Sequence, residues 1–344
     1  MIILAIDTST DETSVAILNG QKILCNVISS QVRYHKKFGG VVPFLAQRLH
    51  KERIDSVISE ALSRAQTDFS GIDAIAVTYG PGLAPALQVG VEKAKLLAVE
   101  HGLPLYAVNH MMGHISSCFS KNVAKFPMLA VLVSGGHSEL VYTRSFGEYQ
   151  IIGQTLDDSL GEAYDKVARM LGLGYPGGKL VAKLALEGDS AAYALPVPML
   201  RSGDLNLSYS GLKNAVRLLI GEVSAEGPLS RKNIADICAC FEYVAQESLL
   251  RKVTLALSMY PEVQQVALAG GVSANVRLRA HLRAILKKHD LELVVPANQK
   301  LCTDNAAMIG LAAHFGILAG QKPAEIETLD RIPYLSLEDV HFSE

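Results

Sequence analysis

The sequence predicts an α/β protein made of a duplicated domain, with a cleft between its two halves. The chain opens with apolar Ile2 to Ile6, followed by the polar segment Asp7 to Thr13 and then by Ser14 to Leu18. This order predicts a strand, a turn and a second strand. The same order returns from Met128 to Tyr142, about one domain length further along the chain. Two copies of one such pattern are typical of two packed lobes that enclose a ligand cleft.

Helices and further strands are predicted between and after these hairpins. Apolar residues recur at helical spacing from Ile54 to Ala65, which predicts a helix packed on a core. The other predicted helices are Leu87 to Glu100, Val216 to Ile220, Ile234 to Met259 and Leu278 to Lys288. Ile72 to Val77 and Val263 to Leu268 predict buried strands. We expect lobes at residues 1–125 and 126–344, with the C-terminal tail packing back on the first lobe.

The sequence predicts a cytoplasmic protein without a membrane-spanning helix. The 344 residues contain no run of about 18 uncharged apolar residues, which a membrane-spanning helix needs. Met1 to Leu4 lead directly into a strand pattern, without the basic start and cleavage site of a signal peptide. The five cysteines lack metal-type spacing and are odd in number, which favours reduced thiols.

The charge balance does not indicate a nucleic-acid-binding protein. The chain has 32 basic and 34 acidic residues, a formal charge of −2, whereas nucleic-acid-binding domains usually carry a basic excess. This balance does not exclude a local basic patch. Arg33, His35, Lys36 and Lys37 form one basic run, which predicts either a nucleic-acid contact or an ordinary solvated loop.

A pair of histidines predicts a metal site. His110 and His114 are separated by one helical turn, so both would lie on one face of a helix and could share a metal ion. The alternative is two polar residues on a half-buried helix. A zincin protease needs a glutamate after the first histidine, where this chain has Met111. Asp304 precedes an apolar segment and is either the N-cap of a helix or a third ligand.

Four glycine-bearing turns follow apolar segments and together favour phosphate or nucleotide binding. They are Gly80 to Gly82, Ser134 to His137, Gly174 to Gly178 and Gly270 to Asn275. None matches a P-loop or a dinucleotide fingerprint. Asn275 either caps the helix that follows or turns its amide toward a ligand. Asp165, one turn beyond the capping-box pair Ser159 and Glu162, either accepts from ribose hydroxyls or complements the helix dipole.

These segments together resemble the TsaD family of bacterial enzymes, which install threonylcarbamoyladenosine in tRNA. The matching segments, in the family's order, are Asp7 to Thr13, Gly80 to Leu83, His110 to His114, Leu132 to His137, Asp157 to Lys166, Ser208 to Lys213, Gly270 to Asn275 and Cys302 to Ala307. The resemblance covers nearly the whole chain. It implies a two-lobed actin/hexokinase-like (ASKHA) α/β fold, in agreement with the duplicated hairpin.

The resemblance also implies a reaction and a set of site residues. The reaction transfers a threonylcarbamoyl group from threonylcarbamoyl-adenylate to the exocyclic amine of the tRNA adenosine adjacent to the anticodon, with release of AMP. The implied ligands of one divalent metal ion, Fe²⁺ or alternatively Zn²⁺, are His110, His114 and Asp304. The implied adenylate-binding residues are Val133, Ser134, Gly135, Gly136, His137, Asp165, Gly178 and Asn275. The implied partners besides tRNA are a TsaB-like paralogue and a TsaE-like ATPase.

Asp11 and Glu12, beside the first turn, are our candidates for orienting or deprotonating the attacking amine. Three positions depart from the family's usual pattern: Met112 replaces a common glutamate, Pro85 follows Gly80 to Leu83 where a further glycine is common, and Lys179 replaces a common proline. Two alternatives are a phosphotransferase or ATPase of the same fold and a non-catalytic partner subunit.

Overall fold

The computed structural model describes residues 1–225 and 227–342, and its strands form two five-stranded sheets. The first sheet contains β1 (Ile2–Asp7), β2 (Glu12–Asn19), β3 (Lys22–Ser30), β4 (Ala74–Gly80) and β5 (Leu105–Asn109). The second contains β6 (Met128–Val133), β7 (Ser138–Ser145), β8 (Glu148–Gln154), β9 (Gln265–Ala269) and β10 (Glu292–Val294).

Both sheets have the same topology. The strand order is β3-β2-β1-β4-β5 in one and β8-β7-β6-β9-β10 in the other. In each sheet the first three strands of the chain pair antiparallel, and the last two add in parallel next to the first. The duplication that the two hairpins predict is therefore present at the level of whole sheets.

The α-helices are α1 (Val32–His35), α2 (Pro43–Ala65), α3 (Ala84–His101), α4 (His110–Ser117), α5 (Leu160–Met170), α6 (Gly178–Ala185), α7 (Ser210–Ser224), α8 (Arg231–Met259), α9 (Val276–Lys287) and α10 (Ala306–Leu318). The sequence-predicted helices correspond to α2, α3, α7, α8 and α9, mostly with earlier starts. Four strands were not predicted. They are the half-exposed edge strands β3 and β8 and the short parallel strands β5 and β10, which have five and three residues. Partial exposure and short length both give weak sequence patterns.

The first sheet is covered on both faces. Leu4 and Ile6 join the apolar cluster that includes α2 and α3, whereas Ile3 and Ala5 join the cluster that includes α4 and α10. Because side chains alternate along a strand, a continuously apolar β1 can be buried on both sides. Among the described residues, no helix is both long enough and apolar enough to cross a membrane.

The C-terminal part of the chain returns to the first sheet. The Asn305 Oδ1 accepts from Met308 N at 3.2 Å and from Asn26 Nδ2 at 3.2 Å, and Ala306 N donates to Ser14 Oγ at 2.9 Å. Further along, Ile332 N donates to the carbonyl of Tyr79 at 2.7 Å. The contacts with Asn26 and Ser14 fix the start of α10 on the β2–β3 hairpin, and the contact of Ile332 joins the C-terminal segment to β4. The division into lobes at residue 125 stays a prediction.

Candidate functional site

The candidate site lies where strands of both sheets end. Asp7 ends β1, and His110 directly follows β5; these strands run parallel on either side of β4. In the second lobe, Ser134 follows β6 and Gly270 follows the neighbouring parallel strand β9. In α/β sheets, ligands bind in the crevice outside the carboxyl ends of the strands.

His110, His114 and Asp304 converge on one point. The distance from Asp304 Oδ1 is 3.5 Å to His110 Nε2 and 3.4 Å to His114 Nε2. One ligand atom from each residue lies within 4.8 Å of the other two. Asn109 caps the helix that carries both histidines, since its Oδ1 accepts from Met111 N at 2.8 Å. The spacing therefore places both imidazoles on the face of α4 that is directed at Asp304.

The two histidines present ring nitrogens that no hydrogen bond uses. Within the described part of the chain, His110 Nδ1 and both ring nitrogens of His114 are buried without a hydrogen-bond partner. Such atoms cost free energy unless another ligand satisfies them. Asp304 is not the N-cap of α10, because Asn305 has that role, and its carboxylate is free to face the histidines. Two imidazoles and a carboxylate are a donor set that can hold a divalent metal ion.

The packing of α10 on α4 brings Asp304 to the histidines. Gly113 lies at this contact, and a Cβ atom there would be 2.9 Å from Ile309 Cδ1 and 3.2 Å from Met308 Cγ. A side chain at this position would push the two helices apart. The glycine between the histidines thus permits the close approach that joins residues from distant parts of the sequence.

Charge coupling within the cluster is strong. Burial lowers the pKa of His110, but the carboxylates of Asp304 and Asp7 outweigh it and raise that pKa above its usual range. Burial raises the pKa of Asp304, but the two histidines outweigh it and hold that pKa well below its usual range. The pKa of His137 falls to about 4 through burial and through the nearby His110 and His114. The His137 ring is therefore neutral and close enough to the cluster for the charges of His110 and His114 to act on it.

Asp7 is a further carboxylate at the cluster that sequence reasoning did not select. Its Oδ1 lies 3.8 Å from His110 Nδ1 and accepts from Ser9 N at 3.2 Å, while Oδ2 is buried without a partner among the described residues. A carboxylate near the outer nitrogen of a metal-binding histidine sets the ring's orientation and basicity. The available signal was an acidic residue ending a buried parallel strand.

The carboxyl groups of Asp11 and Glu12 are only partly hydrogen-bonded. Glu12 Oε1 accepts from Ser30 Oγ at 2.9 Å, while Asp11 Oδ2 and Glu12 Oε2 are buried without a partner in the described structure. Burial, then Asp304, raises the pKa of Asp11 to about 6. Burial, then Asp11, raises the pKa of Glu12 to about 8. Both carboxyls therefore lie within electrostatic range of Asp304.

The turn after β6 presents two exposed glycines. Ser134 N donates to the carbonyl of His137 at 2.8 Å, and His137 N donates to Ser134 Oγ at 3.0 Å. Gly135 and Gly136 have no N–H bond within the described residues, and a Cβ on either would meet nothing within 4 Å. Val133 lies beneath them as the buried end of β6. Two free N–H groups in open space can bind an anion.

The Asp165 side chain holds the next glycine turn. Its Oδ1 accepts from Gly177 N at 2.8 Å and from Gly178 N at 3.0 Å. The N–H of Gly178 is therefore occupied and is not available to a phosphate. Asp165 Oδ2 accepts no hydrogen bond among the described residues, which leaves one carboxylate oxygen for a ligand hydroxyl.

Asn275 caps α9 and is also held by a buried acid. Its Oδ1 accepts from Arg277 N at 3.0 Å and Leu278 N at 3.1 Å, and its Nδ2 donates to Glu242 Oε1 at 2.6 Å. The same oxygen accepts from Tyr164 OH at 3.2 Å, next to Asp165. Glu242 thus joins Asn275 to the helix of Asp165. No local pattern marks this acid, since it lies inside the continuous helix α8.

Comparison with known proteins identifies the family. The family model for TsaD, tRNA N6-adenosine threonylcarbamoyltransferase, matches residues 22–311. The chain belongs to the TsaD family. Curated proteins named tRNA N6-adenosine threonylcarbamoyltransferase include one from Desulfitobacterium hafniense, 47% identical over 97% of both chains. One from Thermodesulfovibrio yellowstonii is 45% identical over 93% of this chain and 96% of its own. The predicted family and enzyme class are confirmed.

Solved structures agree on the TsaD chain's fold. Full-length HypF matches with a TM-score of 0.62 and 16% identity, over 94% of this chain and 47% of its own. The activator of 2-hydroxyisocaproyl-CoA dehydratase from Clostridium difficile matches with a TM-score of 0.53 and 14% identity, over 91% and 94%. At these identities the likeness concerns the fold alone, and it confirms the predicted two-lobed ASKHA architecture.

The three residues that we expect to depart from the family's usual pattern contribute no ligand atom to the cluster of His110, His114 and Asp304. Met112 is buried and lines a cavity of about 280 Å³ with Asn109 and Val340. Pro85 lies in the first turn of α3, where its missing N–H costs nothing. Lys179 is exposed in the first turn of α6.

The basic run predicted at residues 33–37 needs one correction. His35 is fully buried; its ring accepts from Val42 N at 3.3 Å and contacts Gln31, and burial lowers its pKa. It therefore belongs to the interior. Arg33, Lys36 and Lys37 are exposed.

We expect Asp165→Ala to destabilise this TsaD protein. The substitution leaves the N–H groups of Gly177 and Gly178 without their acceptor, which costs about 1–3 kcal/mol in the free energy of unfolding. Asp165→Asn keeps an acceptor oxygen and should lose less. Urea unfolding of the two variants tests this, and equal stability of Asp165→Ala and the parent would contradict it.

Proposed function

We propose that this TsaD-family chain transfers the threonylcarbamoyl group from threonylcarbamoyl-adenylate to the adenosine adjacent to the anticodon of tRNA, with release of AMP. The observation that carries the proposal is the convergence of His110, His114 and Asp304, with unpaired nitrogens, at the strand ends. The phosphotransferase alternative is not favoured, because phosphoryl transfer usually uses magnesium held by carboxylates. A non-catalytic subunit would not need to keep this ligand set.

His110, His114 and Asp304 would hold one divalent ion, which we propose to be Fe²⁺, with Zn²⁺ as the alternative. Bound there, the ion supplies a Lewis acid that stabilises negative charge developing on a donor oxygen. Asp7 would orient His110 through the outer ring nitrogen.

The residues of the second lobe would bind the adenylate. The free N–H groups of Gly135 and Gly136 suit its phosphate, in the turn formed by Val133, Ser134 and His137. The free Oδ2 of Asp165 suits a ribose hydroxyl. In our proposal, Gly178 and Asn275 shape the pocket through backbone packing and the Glu242 contact, since their polar groups are largely engaged.

The reaction itself needs little beyond positioning, because the acyl–phosphate anhydride already has a good leaving group. The amine nitrogen of adenosine attacks the carbamoyl carbon, the bond from this carbon to the phosphate oxygen breaks, and AMP leaves with the electron pair. The nitrogen loses one proton. With a pKa of about 6, Asp11 is ionised at neutral pH and can accept it. With a pKa of about 8, Glu12 is mostly protonated there and would donate a hydrogen bond.

We place this chemistry in the cytoplasm, together with a TsaB-like paralogue and a TsaE-like ATPase. The test is mass-spectrometric nucleoside analysis of tRNA after reaction with threonylcarbamoyl-adenylate and these partners, combined with elemental analysis of the purified chain. We expect threonylcarbamoyladenosine and about one metal ion per chain. Unmodified adenosine under these conditions would contradict the proposal.

A further inference from the structure

We propose that the tRNA lies along a basic stripe that crosses from the first lobe to the second beside the adenylate pocket. The stripe is defined by six cations: Arg33, Lys36, Lys37, Arg53, Arg169 and Arg217. The inference rests on the proposed function, because it names the surface that presents the tRNA substrate.

The first-lobe part combines guanidinium groups with an aromatic ring. The guanidinium carbons of Arg33 and Arg53 lie 4.7 Å and 4.9 Å from the ring centroid of Tyr34. All three residues line one surface cavity of about 590 Å³. Two like charges on one ring repel each other, and a phosphate between them would relieve that repulsion. Cations interleaved with an aromatic ring are typical of surfaces that follow a nucleic-acid backbone.

The stripe continues through the short helical turn after α1. Lys36 and Lys37 are exposed, and Lys37 Nζ lies 4.9 Å from the ring centroid of Phe38, which is itself 56% exposed. An exposed aromatic ring beside a lysine offers a base a stacking surface next to a phosphate contact.

Arg169 connects the two lobes. Its guanidinium donates to the carbonyl of Gly39, directly after the Lys36–Phe38 turn. Arg169 also lines a cavity of about 210 Å³ with Arg217 of α7. On α5 it lies one turn beyond Asp165, on the same side of the helix. The stripe therefore passes within a helical turn of the proposed ribose-binding carboxylate.

The basic residues next to the stripe are paired with carboxylates, whereas the six stripe cations are not paired with any carboxylate of the described residues. Lys166 pairs with Asp158 at 2.6 Å and with Glu162 at 2.8 Å, and Lys213 pairs with Asp158 at 2.7 Å. These lysines are excluded from the stripe for that reason, as is Arg48, which pairs with Glu52. Within the described residues, none of the six stripe cations has a carboxylate within ion-pair distance. In a chain of net charge −2, this is a local excess suited to a polyanion.

The test compares two neutralised pairs with a matched control. The pairs are Lys36→Gln/Lys37→Gln on the first lobe and Arg169→Gln/Arg217→Gln on the second. The control is Lys287→Gln/Lys288→Gln, an equal charge change on exposed lysines at the end of α9. Binding of purified tRNA to the full chain with its partners is measured across salt concentrations. Each stripe pair should weaken binding about tenfold and lower the salt slope by about 1–2, and the control should do neither.

Two further readouts separate this inference from the proposed function. Metal content should match the parent in all variants, because no metal ligand is altered. Thermal melts should match the parent except for a small decrease in Arg169→Gln/Arg217→Gln, which removes the hydrogen bond from Arg169 to Gly39. Salt slopes unchanged in both stripe pairs, or lowered equally in the control, would overturn the stripe. If the parent modifies tRNA and only the stripe prediction fails, the proposed function stands; if the parent itself produces no threonylcarbamoyladenosine, the proposed function fails.

Discussion

The double variant His110→Ala/His114→Ala is expected to lose its bound metal and its transfer activity. Both imidazoles point at Asp304 from one face of α4, so their removal leaves a single carboxylate, which cannot hold a divalent ion tightly. Loss of the charge stabilisation that such a site supplies should lower the transfer rate at least about 10²–10³-fold. Elemental analysis and the nucleoside assay measure the two effects.

The fold should survive this double substitution. The helix start is fixed by Asn109, which keeps its bonds to the backbone N–H groups of Met111 and Met112. Among the described residues, neither His110 Nδ1 nor either ring nitrogen of His114 has a hydrogen-bond partner, so removal of these atoms breaks no bond that holds the helix. His314→Ala, in the C-terminal half of α10, is the control and should keep the metal and the activity. Full transfer by a metal-free double variant with a normal melt would refute the site.

The sequence predicted the parts of the site that depend on local spacing. His110 and His114 are one turn apart, so any helix there places them together. The repeated hairpin similarly predicted two sheets, because each hairpin is a short contiguous pattern. Asp304 could be named only as one of two alternatives. Whether Asp304 caps α10 or faces the histidines depends on Asn305, which takes the N-cap position. Contacts with Asn26 and Ser14 of the first lobe help to position this helix start.

The contacts that sequence reasoning missed are made between distant segments. Asp7 becomes relevant because β1 and β5 flank β4 and end at the same edge. Glu242 becomes relevant because α8 passes behind both Tyr164 and Asn275. Neither position differs from an ordinary strand end or helix interior in its own neighbourhood. The edge strands β3 and β8 were missed for a related reason, since partial exposure weakens their alternation.

The second large effect is expected from Gly161→Ala, which should impair adenylate use while leaving the metal in place. Gly161 N donates to the carbonyl of Ser134 at 3.2 Å. A Cβ atom at this position would clash with that carbonyl oxygen and lie 2.8 Å from its carbon and 2.9 Å from Gly135 Cα. These neighbours are backbone atoms, so the turn itself must move. A displacement of about 1 Å in a binding group can cost about 10²-fold in rate, and we expect this loss in kcat/KM for the adenylate.

The metal ligands come from α4 and the segment before α10, so a shift of the Ser134–His137 turn should not remove them. Metal content therefore separates this variant from the histidine double variant.

Gly221→Ala is the control: Gly221 is also helical, and a Cβ there meets nothing within 4 Å. It should keep full activity and gain up to about 1 kcal/mol in unfolding free energy. If Gly161→Ala used the adenylate as well as Gly221→Ala does, the turn would have no part in binding it. Loss of metal from Gly161→Ala would instead show that the turn and the metal cluster are not independent.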